Sequence, residues 1–392
     1  MYRALFLVLT VTACDPAPVA PDASEPSPDA GSGVDDGGPA ALPDATTPTD
    51  GGVTAPDAGP PGCATGILPG PDAPAVAVDG ARAFDELAAA MRSGEWAQYE
   101  TTAPEGYFRN TDGGHDLSWA DTAIWDPTSQ CILHYGGGHL TIPGFSVYCL
   151  RTNTWIRGTL PPWLDFEGSV WGYTNHGYDR NAFDPEARRL HFYRGRGLWT
   201  YDLACDQWER GELPEGNHTA RDFAEWVPGL GVVHGRGEND SILFAYDPAT
   251  DTQTRLGESL FHSQLHTFGA WSEARGALLY GGGDGNTSVY VMDRAGVSTR
   301  VTDSPAQIRT VSGGAAGGWV TVDPTNGDFL VLFVSGELHR YDPSADRWAL
   351  ESTSPLPAEL SRTVSASLPE HGVILFATRT GGESARITLY KP

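Results

Sequence analysis

Between about Asp112 and Pro392 one pattern of roughly 45 to 50 residues recurs six times. Each copy reads as an apolar strand, a tight turn, a second apolar strand ending near glycine, and a third strand ending in a Tyr-Asp-like pair. A fourth strand bearing Trp often follows. The first turns are Trp125-Asp126-Pro127, Phe183-Asp184-Pro185, Trp226-Val227-Pro228, Trp271-Ser272-Glu273, Val322-Asp323-Pro324 and Leu368-Pro369-Glu370, so the steps between their third residues are 58, 43, 45, 51 and 46. That period is the length of a four-stranded blade. One such sheet cannot bury both of its faces alone, so each copy must stack on its neighbours and the hydrophobic core must run from copy to copy. The expected fold is all-β: a six-bladed β-propeller. In the fifth copy Trp319-Val320-Thr321-Val322 and Phe329-Leu330-Val331-Leu332-Phe333-Val334 flank a turn of Asp323-Pro324-Thr325-Asn326-Gly327, residues that supply fixed or positive φ.

Three features repeat inside the copies. Glycine runs close second strands (Gly136-Gly137-Gly138, Gly281-Gly282-Gly283), Tyr-Asp-Pro recurs at Tyr246 and Tyr341, and Trp155, Trp208 and Trp348 follow. Together they resemble kelch repeats, which build the propeller of the galactose oxidase superfamily, over residues 112–392. The resemblance implies a fold and says almost nothing about activity, because one propeller scaffold hosts many functions. The copper radical chemistry of galactose oxidase does not carry over, since the cysteines here are better placed for disulfides.

The sixth copy stops at Ile387-Thr388-Leu389-Tyr390-Lys391-Pro392, a third strand with no fourth after it. Upstream, Gly94-Glu95-Trp96-Ala97-Gln98-Tyr99 reads like Thr152-Asn153-Thr154-Trp155-Ile156-Arg157. A strand over residues 94–100 is therefore expected to close the last blade and cover its open edge. Ahead of it Phe84, Leu87, Ala88 and Met91 fall at helical spacing, which predicts a short amphipathic helix over Ala81 to Arg92. Residues 63–111 thus read as an N-terminal helix and closing strand, and 112–392 as the propeller.

Residues 1–13 read as a cleavable signal. A basic start at Arg3 precedes an apolar run, Ala4 to Val11, too short to span a bilayer. The run ends in Val11-Thr12-Ala13-Cys14, which resembles the lipobox of bacterial lipoproteins and implies acylation at Cys14. Residues 14–62 are nearly all Pro, Ala, Asp, Gly, Ser and Thr, with no Lys, Arg or aromatic residue, the composition of a disordered, extended linker. The expected location is extracytoplasmic and membrane-anchored, at the outer membrane or cell surface rather than the inner membrane.

The chain carries 25 Lys+Arg against 50 Asp+Glu, a net charge of −25. That balance argues against nucleic acid and against anionic membrane surfaces as partners, leaving the lipid anchor as the membrane contact. A monomer is expected. With Cys14 acylated, Cys63, Cys131, Cys149 and Cys205 remain, an even number suited to an oxidising compartment. Cys131 and Cys149 lie nine residues either side of a hairpin centre near Leu140, so they should face one another and pair. Cys63 with Cys205 is the residual pair.

In a propeller the loop leading into each innermost strand and the loop joining second to third strands open at the same end of the ring. The lead-in loops carry His115 and Asp116, His176, His218 and Arg221, His262 and His266, Arg309, and Arg362, in blade order. The other loops add His139, Arg196, Arg236, Glu238 and Asp284. Four consecutive blades thus place a His at the channel mouth and the remaining two an Arg. Three chemistries compete. Arg forks match carboxylates, and Trp171, Tyr173 and Tyr178 could stack on sugars, which suits a glycan. A uronate polysaccharide lyase would use Arg to neutralise the substrate carboxylate and His or Tyr to abstract the α-proton. A transition metal could be held by His115, His176, His218 and His262; no cofactor is otherwise implied. Loop histidines that only hydrogen-bond their neighbours are the plainer alternative. No HExxH, Gly-x-Ser-x-Gly or P-loop occurs.

Overall fold

A computed structural model describes residues 66–70, 72–108, 117, 121–136, 144–162, 177, 179–194, 197–212, 223–236, 242–256, 266–283, 285–308, 318–356 and 362–392. All of them belong to the compact unit Gly59–Pro392. The segments read as signal and linker, Cys14 among them, lie outside the described residues.

The protein is a six-bladed β-propeller. Six antiparallel four-stranded sheets follow one another, five built from four consecutive strands each. Their innermost strands are Ile124–Asp126, Asn181–Asp184, Ala224–Val227, Thr267–Ser272, Gly318–Val322 and Thr363–Leu368. Each meets the next, and the first meets the sixth through a parallel bridge from Thr122 to Ser365, so the ring is closed. Side chains from both faces of every sheet are consumed in this stacking: Phe329–Phe333, the second strand of blade five, is buried at all five positions. Six apolar clusters result, one at each junction between neighbouring blades.

The sixth sheet takes its outer strand from the N-terminus. Trp96–Thr102 pairs antiparallel with Ser384–Tyr390, Trp96 opposite Tyr390 and Tyr99 opposite Ile387. The likeness to the Trp155 segment extends to the backbone. In blades one, two and five a residue in the left-handed region stands two places before the Trp: Asn153 (φ 49°), Asp206 (53°) and Asp346 (46°). Each side chain accepts a hydrogen bond from a Tyr five residues earlier, at 2.7, 2.5 and 2.9 Å, and that Tyr packs on the Trp with centroids 4.8 to 5.1 Å apart. In the closing strand the same place is held by Gly94 (φ 83°), where glycine adopts positive φ without cost. Trp96 packs on Tyr390 at 4.6 Å and its indole N–H donates to Ser352 Oγ of blade five at 2.9 Å.

The helix is shorter than its periodicity predicts, Phe84–Ala90 rather than Ala81 to Arg92. The Asp79 carboxylate accepts the backbone N–H groups of Ala81 and Arg82 at 3.2 and 2.8 Å, an Asx turn that holds these residues out of the helix. Phe84, Leu87 and Ala88 are buried against blade six and blade one.

Cys131 and Cys149 are cross-strand partners in blade one and are joined by a disulfide. Cys205 is also disulfide-bonded, and its partner lies outside the described residues. Among the described residues no helix is long and apolar enough to cross a membrane.

Candidate functional site

Most of the predicted mouth residues, namely His115, His139, His176, Arg196, His218, Arg221, His262 and Arg309, lie outside the described residues. Three can be placed on the backbone. His266 (φ 64°, half-buried) immediately precedes the innermost strand of blade four, and Arg362 (half-buried) that of blade six, where its carbonyl accepts the Arg379 N–H at 2.9 Å. Arg236 ends the second strand of blade three, opposite Ile242. Among the described residues no group of three or more His, Cys, Asp or Glu is arranged to hold a metal ion. The four histidines assigned to such a site are not among them.

Beneath the mouth, at the start of the innermost strands, lies a feature that the sequence reading missed: three acids on three consecutive blades, Asp121 and Asp179 just before their strands and Glu225 on its own. Asp179 joins four blades. Its Oδ1 accepts the Thr122 hydroxyl of blade one at 2.5 Å, and its Oδ2 accepts the Gly269 N–H of blade four at 2.6 Å. Its carbonyl accepts the Ala224 N–H of blade three at 2.7 Å. Asp121 accepts the Ser365 N–H of blade six through its carbonyl at 2.9 Å, but its buried Oδ2 has no hydrogen-bond partner. Glu225 is surrounded by protein yet keeps some solvent contact, and it accepts the backbone N–H of Trp226 at 3.1 Å and of Trp271. Arg180, next to Asp179, is 1% exposed.

Burial controls the protonation of these groups, because ions lose more hydration than neutral acids on leaving water. It pushes Asp179 up to about 7, against which the Thr122 and Gly269 hydrogen bonds pull only partly. Asp121 and Glu225 are driven well above the usual carboxylate range, first by burial and then by the charge of Asp179. The floor of the mouth therefore holds carboxyl groups whose hold on the proton is strengthened by burial.

A row of buried histidines lies one strand further out, in blades one, two and three. His191 pairs across the sheet with Ala182 and His234 with Ala224, while His134 follows the Leu133 that faces Ile124. His134 Nδ1–H donates to the Thr122 carbonyl at 3.0 Å, leaving buried Nε2 without a partner. A methyl group added at Gly177 would sit 2.5 Å from that Nε2, so only glycine lets the chain pass over the ring. Burial lowers His134 to about 4; burial, then the Arg189 charge, lowers His191 to about 3. Both are neutral structural residues at physiological pH. The acids had a signal in the sequence, an Asp or Glu within three residues of an alanine at the start of the inner strand in three successive copies (Asp121 with Ala123, Asp179 with Ala182, Glu225 with Ala224).

The chain matches no known protein family, and no curated protein is detectably similar to it.

Proposed function

We propose that this protein is a lipid-anchored, extracytoplasmic, kelch-like propeller that binds a glycan, carboxylated or rich in hydroxyl groups, at the His/Arg-bearing end of its ring. One observation carries the reading. The innermost strands form a closed circle in chain order, and in each blade the segment leading into that circle carries a His or an Arg. Cationic and imidazole donors in the segments that lead into one circle of strands suit carboxylate and hydroxyl groups. Both the kelch-like repeats and the Val11-Thr12-Ala13-Cys14 sequence support the remainder of the description, and the Cys131–Cys149 disulfide fits an oxidising compartment. The test is a binding screen of the ring, truncated before Cys63, against acidic and neutral polysaccharides. Saturable binding weakened by Arg309→Ala or Arg362→Ala is expected, and indifference to every polysaccharide refutes the reading.

Catalysis at the same end is favoured by a different observation, the proton-holding acids of the floor. A uronate polysaccharide lyase needs a carboxylate-neutralising Arg, a base, and an acid to protonate the departing oxygen. Glu225, raised well above the usual carboxylate range and in contact with solvent, suits that last role. Release of unsaturated sugars during the same screen, lost in Glu225→Gln, would replace simple binding with this reaction.

A further inference from the structure

The chain reaches the ring along one end of it, and that end is not the one with the His/Arg-bearing loops. The described chain begins at Gly66, against the third-to-fourth-strand turn of blade two, where an added methyl would meet the Leu203 carbonyl at 2.8 Å. It next crosses the equivalent turn of blade one, where Val76 N–H donates to the Arg151 carbonyl at 2.9 Å and the Arg151 guanidinium donates to the Ala73 carbonyl. The helix Phe84–Ala90 then packs beside the first-to-second-strand turn of blade six, Pro369–His371. Lys391 fastens this junction, its Nζ donating to the carbonyls of Ala88 and His371 at 3.1 and 3.3 Å. In an up-and-down blade, first-to-second and third-to-fourth turns share one end of the ring. Only after Gly94 does the chain climb to the other end, as the closing strand, where Ala103 N–H donates to the Glu383 carbonyl at 2.8 Å in the second-to-third turn of blade six. Disulfide-bonded Cys205 stands in the blade-two turn where the described chain begins.

We infer that the turn end of blades two, one and six is the attachment side of the protein, and that the opposite end, with its His/Arg-bearing loops, is presented away from the anchoring membrane. The partner it fits is a polymer or surface too large to slip beneath the ring. This rests on the anchoring reading proposed above. A linker of about 50 residues spans roughly 40 Å root-mean-square if Gly-rich, and more if charged and Pro-rich, so the ring can tilt. Its point of attachment still decides which end lies nearer the bilayer on average.

Energy transfer to vesicles decides the matter. In a Lys391→Arg background, which removes the chain's single lysine, Ala249→Lys places one amine at the attachment end and Ser335→Lys one in the second-to-third turn of blade five, at the other end. Both positions are exposed. Each full-length protein is labelled with an amine-reactive donor and bound to phosphatidylcholine vesicles carrying an acceptor lipid. One arm uses the natively processed chain, and the other replaces residues 1–14 with an N-terminally acetylated hexahistidine tag on nickel-chelating lipid, so that the engineered lysine is its one reactive amine. The two ends lie roughly 20 Å apart for strands of six residues, so about twofold greater transfer from the Ala249→Lys label is expected. Equal transfer from the two labels, or the reverse order, overturns the inference. A natively processed chain that stays out of the membrane fraction overturns the anchoring reading instead, and the nickel arm still decides which end faces the bilayer.

Discussion

Replacing Asp179 with Asn should make the protein more stable at pH 8 and nearly neutral in effect at pH 4.5. The carboxyl is fully enclosed and is pushed up from its ordinary value near 3.8 to about 7. A raised carboxylate pKa means that the folded state binds the proton more tightly than the unfolded state. The associated stability is present below pH 4, declines as pH rises toward 7, and is lost above it. A shift of about three units corresponds to ~4 kcal/mol in the limit. Asparagine copies the neutral acid: its carbonyl can accept the Gly269 N–H while its amide donates to the Thr122 hydroxyl. Because Asn does not titrate, its advantage over the wild type should widen by about 3 kcal/mol between pH 4.5 and 8. The buried histidines change in the opposite sense. His134 and His191 are held to about 4 and about 3, so they add stability as pH rises toward 6.5, and the wild-type profile alone is blunted. The difference between the two proteins cancels the histidines and reports the Asp179 charge together with its effect on Asp121 and Glu225. Urea unfolding followed by tryptophan fluorescence at constant m gives it directly. Asp179→Ala serves as control: like Asn it does not titrate, but it leaves the Gly269 N–H and the Thr122 hydroxyl without an acceptor, so it should be less stable than Asp179→Asn by roughly 1 to 3 kcal/mol for each at every pH. Wild-type and Asn profiles that run parallel from pH 4.5 to 8 would refute this account of the floor.

Other perturbations test the closure, the cross-link and the mouth. Trp96→Ala removes both the packing on Tyr390 and the bond to Ser352, and should destabilise by about 3 kcal/mol in urea unfolding. Deleting residues 64–100 uncovers the whole edge of Ser384–Tyr390 and should give aggregates, so a soluble, cooperatively melting product would contradict the closure. Non-reducing peptide mapping should recover Cys131 joined to Cys149, and changing both to Ser should cost about 3 kcal/mol for a loop of this size. Arg362→Ala should weaken binding of a carboxylated glycan by about 1.5 to 3 kcal/mol, the range for a charge-assisted hydrogen bond, while the melting temperature stays within a few degrees. If the mouth histidines instead bind metal, elemental analysis of the purified protein should show near-stoichiometric copper, iron or zinc, abolished by His176→Ala.

Repetition made the architecture legible. A turn such as Val322-Asp323-Pro324 is weak by itself, but six in near-constant steps define the blade, and the resemblance of Gly94–Tyr99 to Thr152–Arg157 located the closing strand. Cys131 with Cys149 was readable because cross-strand register follows from the hairpin centre alone. The floor was harder to see because Asp179 acts across the ring. Its partners Thr122 and Gly269 lie 57 and 90 residues away, on blades one and four, and no local pattern announces such a bond. Attention to loop histidines also passed over His134, His191 and His234, which lie within strands and become buried only when neighbouring blades stack. The helix was overextended because periodicity ignores the Asx turn at Asp79.

A polar chain runs from blade four through blade five to the blade that the N-terminal strand completes. Arg275 of blade four pairs with Asp328 of blade five at 2.5 Å, and Asp328 also meets Arg340 at 3.2 Å. Arg340 is held further by Asp323 and by both oxygens of Glu351. Glu351 Oε1 then accepts the Tyr390 hydroxyl of blade six at 3.1 Å. In blades one, two, three and five the third-strand Tyr is satisfied within its own blade, by Asn153, Asp206, Asp251 or Asp346. The Tyr390 hydroxyl instead donates to Glu351 of the preceding blade. The last junction is therefore joined twice across blades five and six, through Tyr390 to Glu351 and through Trp96 to Ser352. Groups within such a network depend on one another, so changes at Glu351 and Trp96 should be less than additive. In a double-mutant cycle of Glu351→Gln and Trp96→Phe, the second substitution should cost less in the background of the first. Strict additivity would mean that the two links act independently.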